Sequence, residues 1–134
     1  MVIITMLGIA ITWFTLGHEF AFAGGTTTAS TGWSIVICLW AFVAAIVGGY
    51  VAAWGGGADN HRSVRILVGL VLVLGIVSFV YQLARTPPQL PDGKTMADLS
   101  FTEAGRYAVS PTWYNAVVIA VGVAGVLLGA RGRR

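Results

Sequence analysis

Apolar residues dominate four stretches of this chain and give way to polar ones between them. The stretches cover residues 2–23, 33–54, 66–83 and 113–130. A bilayer core about 30 Å thick is crossed by roughly 20 helical residues, and each stretch approaches that length. Lipid offers no partner to a backbone N–H or C=O, so a crossing segment must be a helix or a strand of a closed barrel. Barrel strands alternate apolar and polar positions. The run Ile66-Leu-Val-Gly-Leu-Val-Leu-Val-Leu-Gly-Ile-Val77 shows no alternation. The pattern therefore predicts an all-α fold: a polytopic four-transmembrane-helix bundle, with residues 1–134 as one membrane domain.

The connections differ in character. Residues 24–32 are uncharged and rich in Thr and Gly, and 55–65 carry Asp59, His61, Arg62 and Arg65. The long connection, 84–112, opens on Thr86-Pro-Pro, which stops a helix. Within it, Ser100-Phe-Thr-Glu103 fits a capping box, with Phe101, Ala104 and Ala108 on one helical face. This predicts a short amphipathic helix lying at the membrane surface, against the alternative of a plain loop. Ser110-Pro111 is a favourable start for the last helix.

Composition agrees with a membrane protein. The chain is 57% hydrophobic and 10% charged, with a mean hydropathy of +0.82, where soluble domains carry about 25% charged residues. The net charge of +3 does not indicate nucleic acid, because the arginines flank apolar runs instead of clustering with aromatics. Such flanking sets orientation. Arg62, Arg65, Arg131, Arg133 and Arg134 fall on one side in short segments, and Arg85, Lys94 and Arg106 on the other in a long one. The first side is then cytoplasmic, with both termini on it, and its five arginines are placed to touch anionic lipid. Trp33, Trp54, Trp113 and Tyr114 sit at predicted helix ends, as an interfacial aromatic belt requires. The first stretch has a rival reading: Ala21-Phe-Ala23 looks like a signal-peptidase site, although no basic residue precedes the apolar run.

Candidate chemistry is sparse. His18 and Glu19 are the clearly ionisable residues inside a predicted span, and such groups are functional candidates by default. Neighbours on a helix point about 100° apart, so the two cannot face one spot. Their place late in the span also suits a simpler role, ending the helix among headgroups. The two histidines, His18 and His61, fall near opposite membrane faces and cannot share a haem. Asp92, Asp98 and Glu103 in the long loop are interspersed with basic groups, which favours a solvated loop over a cation site. Gly55-Gly-Gly-Ala-Asp59 lacks the Lys-Ser/Thr ending of a phosphate loop and reads as a helix C-cap. The one cysteine, Cys38, reads as a small buried residue. No catalytic set, metal site or cofactor is implied.

The packing signal is stronger. Ala44, Gly48 and Ala52 form one stripe at spacing four, and Ala45, Gly49 and Ala53 a second beside it. The last helix has Ala116, Ala120 and Ala124, together with Gly125 and Gly129. Small residues at this spacing let helix backbones approach closely in a membrane. Two stripes on one helix suggest neighbours on two sides, the first and last spans.

Leu16-Gly-His18, Gly48-Gly-Tyr-Val-Ala-Ala53, Pro111-Thr-Trp-Tyr114 and Leu128-Gly-Ala-Arg131 give the chain a further likeness. It resembles uncharacterised small bacterial four-helix inner-membrane proteins. The resemblance implies an architecture and a location in the bacterial inner membrane, but no mechanism. The leading expectation is a non-enzymatic subunit or scaffold that packs against the lipid bilayer, other membrane subunits or itself. A small oligomeric transporter or proton-linked channel using His18 and Glu19 is the first alternative, and a cofactor-binding membrane subunit the second.

Overall fold

The computed structural model describes residues 2–22, 27–57, 60–86, 89–95 and 98–132, apart from the side chains of His18 and Asn60. It is all-helical, with α1 (Val2–Ala21), α2 (Thr31–Gly55), α3 (Asn60–Ala84), α4 (Phe101–Tyr107) and α5 (Thr112–Arg131). Among the described residues there is no strand, only an isolated bridge between Thr28 and Val109.

Three helices, α2, α3 and α5, are long and apolar enough to cross a membrane. The first predicted span differs. Its apolar helix runs over Val2–Gly17 and stops at Gly17, whose φ of 76° and ψ of 171° are not helical. The predicted 2–23 helix thus becomes a 16-residue run and a short second piece ending at Ala21. At 1.5 Å per residue the run reaches about 24 Å.

The other boundaries shift outward. α3 begins at Asn60, so His61, Arg62 and Arg65 belong to its first two turns and not to a loop over 55–65. Hydropathy marks where apolar residues stop, whereas a helix continues as long as its polar residues can be solvated. Ser30 caps α2, its hydroxyl accepting from the Trp33 N–H at 3.1 Å.

α2 is the centre of the bundle, touching α1, α3 and α5, and α3 also packs on α5. α2 and α5 run parallel and approach at small residues. A Cβ on Gly49 would overlap the Val126 carbonyl oxygen, and one on Gly129 the Ile46 carbonyl oxygen. A Cβ on Gly125 would lie 2.7 Å from that of Ala45. Ala44, Ala45 and Val126 are fully buried.

α1 meets α2 through a second device. The Trp40 indole N–H donates to the Thr12 hydroxyl at 3.2 Å, and that hydroxyl donates to the Gly8 carbonyl at 2.8 Å. Gly8 makes room for the ring, since a Cβ there would fall 2.6 Å from Trp40 Cγ. α3 meets α5 at Gly75 against Ile119, and through the Asn115 side-chain amide donating to Gln82 at 2.8 Å. The rest of α3 turns large apolar side chains outward, among them Ile66, Leu70, Val73, Leu74, Val77 and Val80. Such a surface suits hydrocarbon and is costly in water.

Candidate functional site

The end of the bundle that carries the long connection holds His18 and Glu19. The break at Gly17 decides their setting. Beyond it, Phe20, Ala21 and Phe22 turn onto the start of α2. The Ser30 hydroxyl donates to the Phe20 carbonyl at 2.5 Å, and the Ser30 N–H donates to the Ala21 carbonyl at 2.7 Å. Ala21 and Phe22 are buried against Trp33 and Ala104. Trp13 stands in the middle, edge-on to Phe22, Trp33 and Phe101 with ring centroids 6.1, 5.9 and 5.5 Å away. Edge-to-face pairs of this kind add to area burial and hold ring positions.

α4 completes this cap. Ser100 and Glu103 form the full capping box, with the Ser100 N–H donating to Glu103 at 3.2 Å. Ala104, at 1% exposure, is the point where α4 seats on the bundle. The Ala29 N–H donates to the Val109 carbonyl at 3.0 Å, and the Val109 N–H donates to the Thr27 carbonyl at 2.8 Å. The loop is therefore stitched to the α1–α2 connection on both sides of one residue. Ahead of α4, the Thr95 backbone N–H and then its hydroxyl donate to Asp98, and Lys94 adds a weaker attraction. Together they hold the Asp98 carboxyl below its usual range, although the group lies in solvent.

Within this cap Glu19 is exposed, on the piece of chain past the break. The side chain of His18 and all of Ala23, Asp59, Arg133 and Arg134 lie outside the described residues. The backbone at residue 18 and the exposed His61 belong to opposite ends of the bundle. Among the described residues, no group of three His, Cys, Asp or Glu side chains is placed to hold a metal ion. Asp98 and Glu103 are engaged by Thr95 and Ser100. A cleft of about 160 Å³ opens beside the cap between α3 and α5, where Gln82, Arg85, Ser110 and Asn115 meet Phe79 and Leu83. Gln82 and Asn115 already bond each other across it, and Arg85 donates to the Arg106 carbonyl at 3.0 Å.

The small residues divide into two sets. Ala45, Gly49 and Ala53 are buried on α2, as are Gly125 and Gly129 on α5. Ala44 follows Trp40 by one turn, on the face that meets α1, while Gly48 and Ala52 are half-buried. Ala116, Ala120 and Ala124 are all exposed. At the other end of the bundle, Arg62, Arg65 and Arg131 are exposed, and Arg65 and Arg131 share a cleft with His61. Sequence reasoning overlooked Trp13, Gly17, Ser30 and the Gln82–Asn115 pair. Two amides near the ends of apolar helices were a visible signal for the last of these.

No protein-family model matches the chain, and neither a curated protein nor a solved structure matches it.

Proposed function

We propose that this chain is a four-span protein of the bacterial inner membrane, with both termini on the cytoplasmic side. It acts as a non-enzymatic subunit or scaffold of a homo-oligomer or a larger membrane complex. The orientation is supported by the crowding of arginines at one end of the bundle. α1 counts as a span in this reading because its apolar run, though short, is joined to α2 where Trp40 meets Gly8 and Thr12, and the chain just past it bonds the α2 N-cap. A bilayer that thins locally accommodates a short helix at modest cost.

One observation carries the subunit role. α5 has small residues on two faces. Gly122, Gly125 and Gly129 are spent within the fold, while Ala116, Ala120 and Ala124 face outward between Trp113 and Leu127. A helix face that meets only lipid has no need of a flat alanine ridge, and α3 presents large side chains instead. The ridge is shaped for another helix. Ala120→Leu should therefore release the partner, or dissociate the oligomer, without loss of helix content. Native mass spectrometry of the solubilised protein reads this, and an assembly unchanged by Ala120→Leu would refute the assignment.

The break at Gly17 favours a second reading. Interrupted membrane helices line binding sites in transporters, and this one is followed at once by His18 and Glu19. In that case Glu19→Gln abolishes flux in proteoliposomes while the protein stays folded. Absence of flux in the wild type removes this reading.

A further inference from the structure

The end of the bundle opposite the cap has a cleft of about 310 Å³ where α2, α3 and α5 converge. This is the size at which small-ligand sites begin, about 300 Å³. Its rim is basic: Arg65 and His61 from the first turns of α3, and Arg131 from the last turn of α5. Its wall is apolar: Val64, Leu127 and Ala130, with buried Ala53 behind them. None of the described residues lining it is acidic. From the structure we infer that this cleft holds the phosphate headgroup of an anionic phospholipid, with the first part of an acyl chain along Leu127.

The chemistry of the two halves argues for a lipid over a soluble anion. Guanidinium groups match phosphate oxygens in pairs, and Arg65 and Arg131 bring two of them from neighbouring helices to the lining of one cleft. A free phosphate would use only the rim. The wall continues into the outward apolar surface of α5, where Leu127 is 47% exposed, so a ligand with both a phosphate and a hydrocarbon part uses the whole cleft. Depth agrees as well, because Arg65 and Arg131 stand where the apolar stretches of α3 and α5 end, at headgroup level. Arg62 lies on the same turns of α3 but does not line the cleft, and it separates a built site from general surface charge.

The inference rests on the membrane-embedded part of the proposed function, not on the subunit role. It is tested by native mass spectrometry of protein released from phosphatidylcholine nanodiscs with and without phosphatidic acid. The wild type is expected to retain phosphatidic acid. The double variant Arg65→Gln/Arg131→Gln should bind it about thirtyfold more weakly. Arg62→Gln should match the wild type, and glycerol phosphate in excess should not displace the lipid. Wild-type retention by the double variant overturns the proposal, as does an equal loss in Arg62→Gln. Displacement by glycerol phosphate makes it a soluble-anion site and overturns the lipid assignment. If the double variant does not fold, Arg65→Lys/Arg131→Lys replaces it. This keeps the charge but loses the paired geometry, so weaker retention is expected and unchanged retention contradicts the proposal. The same spectra report oligomeric state, so failure of the subunit role is seen separately.

Discussion

Gly129→Ala and Gly49→Ala should each lower the stability of the solubilised protein by about 1–3 kcal/mol, the usual cost of forcing a methyl group into a full interface. The methyl at residue 129 would meet the Ile46 carbonyl, and that at residue 49 the Val126 carbonyl. Neither obstacle is a side chain that can rotate away, so one helix must move. Alanine favours the helix over glycine by at most about 1 kcal/mol, which does not offset the clash. Gly69→Ala is the matched control. It sits in the interior of α3 with nothing within 4 Å of the added carbon, and it should be neutral or slightly stabilising. Unfolding followed by circular dichroism in mild detergent ranks the three variants. The residues at 49 and 129 share one interface, so the double variant should not show the sum of the two losses. Equal stability of Gly129→Ala and Gly69→Ala would mean that α2 and α5 are not packed backbone to backbone.

The second large effect is expected at Gly17. A φ of 76° with a ψ of 171° is a conformation held almost only by glycine, and another residue there costs on the order of 1–3 kcal/mol. No neighbour crowds the site, since nothing lies within 4 Å of a Cβ built on Gly17. The penalty of Gly17→Ala is therefore one of backbone conformation alone. The chain can escape it by continuing α1 as a regular helix. That swings Phe20–Phe22 away from Ser30 and takes Phe22 from Trp13 and Trp33. Either route shows up in the near-ultraviolet dichroism of the tryptophan cluster or in the unfolding midpoint. A variant with wild-type values of both would contradict the break.

The helices were legible in the sequence because lipid permits so few solutions. A run such as Ile66–Val77 has no other use than to cross or fill an apolar layer. Their ends were less legible. The residues from His61 to Arg65 are polar, and polarity alone does not tell a solvated helical turn from a loop. The Ser100–Glu103 box could be read directly, since both partners lie within one turn. Gly17 could not: glycine is common in membrane helices, and a positive φ leaves no mark in composition. The aromatic cap was hidden for a different reason. Trp13, Phe22, Trp33 and Phe101 come from four separate segments, and their meeting depends on the break that turns residues 20–22 onto α2. The small residues on α5 are a middle case. Ala116, Ala120 and Ala124 repeat at the spacing of Gly125 and Gly129, so spacing announces two faces, but only packing tells the inner from the outer.

Glu19 changes most in meaning. As part of a continuous helix it is an ionisable group in a predicted span. Past a break at Gly17, Glu19 stands beside the α2 N-cap at the rim of a closed aromatic cap. There the residue is exposed and not enclosed by the fold.

Whether α1 crosses the bilayer together with α2, α3 and α5 is decided by site-directed labelling. In a Cys38→Ser background, single cysteines are placed by Val2→Cys, Gly55→Cys and Asp92→Cys, and an impermeant thiol reagent is applied from one side and then the other. The proposed topology predicts that positions 2 and 55 react from the cytoplasmic side and position 92 only from the opposite side. Reaction of positions 2 and 92 from the same side would show that α1 does not cross, and the four-span account would fall.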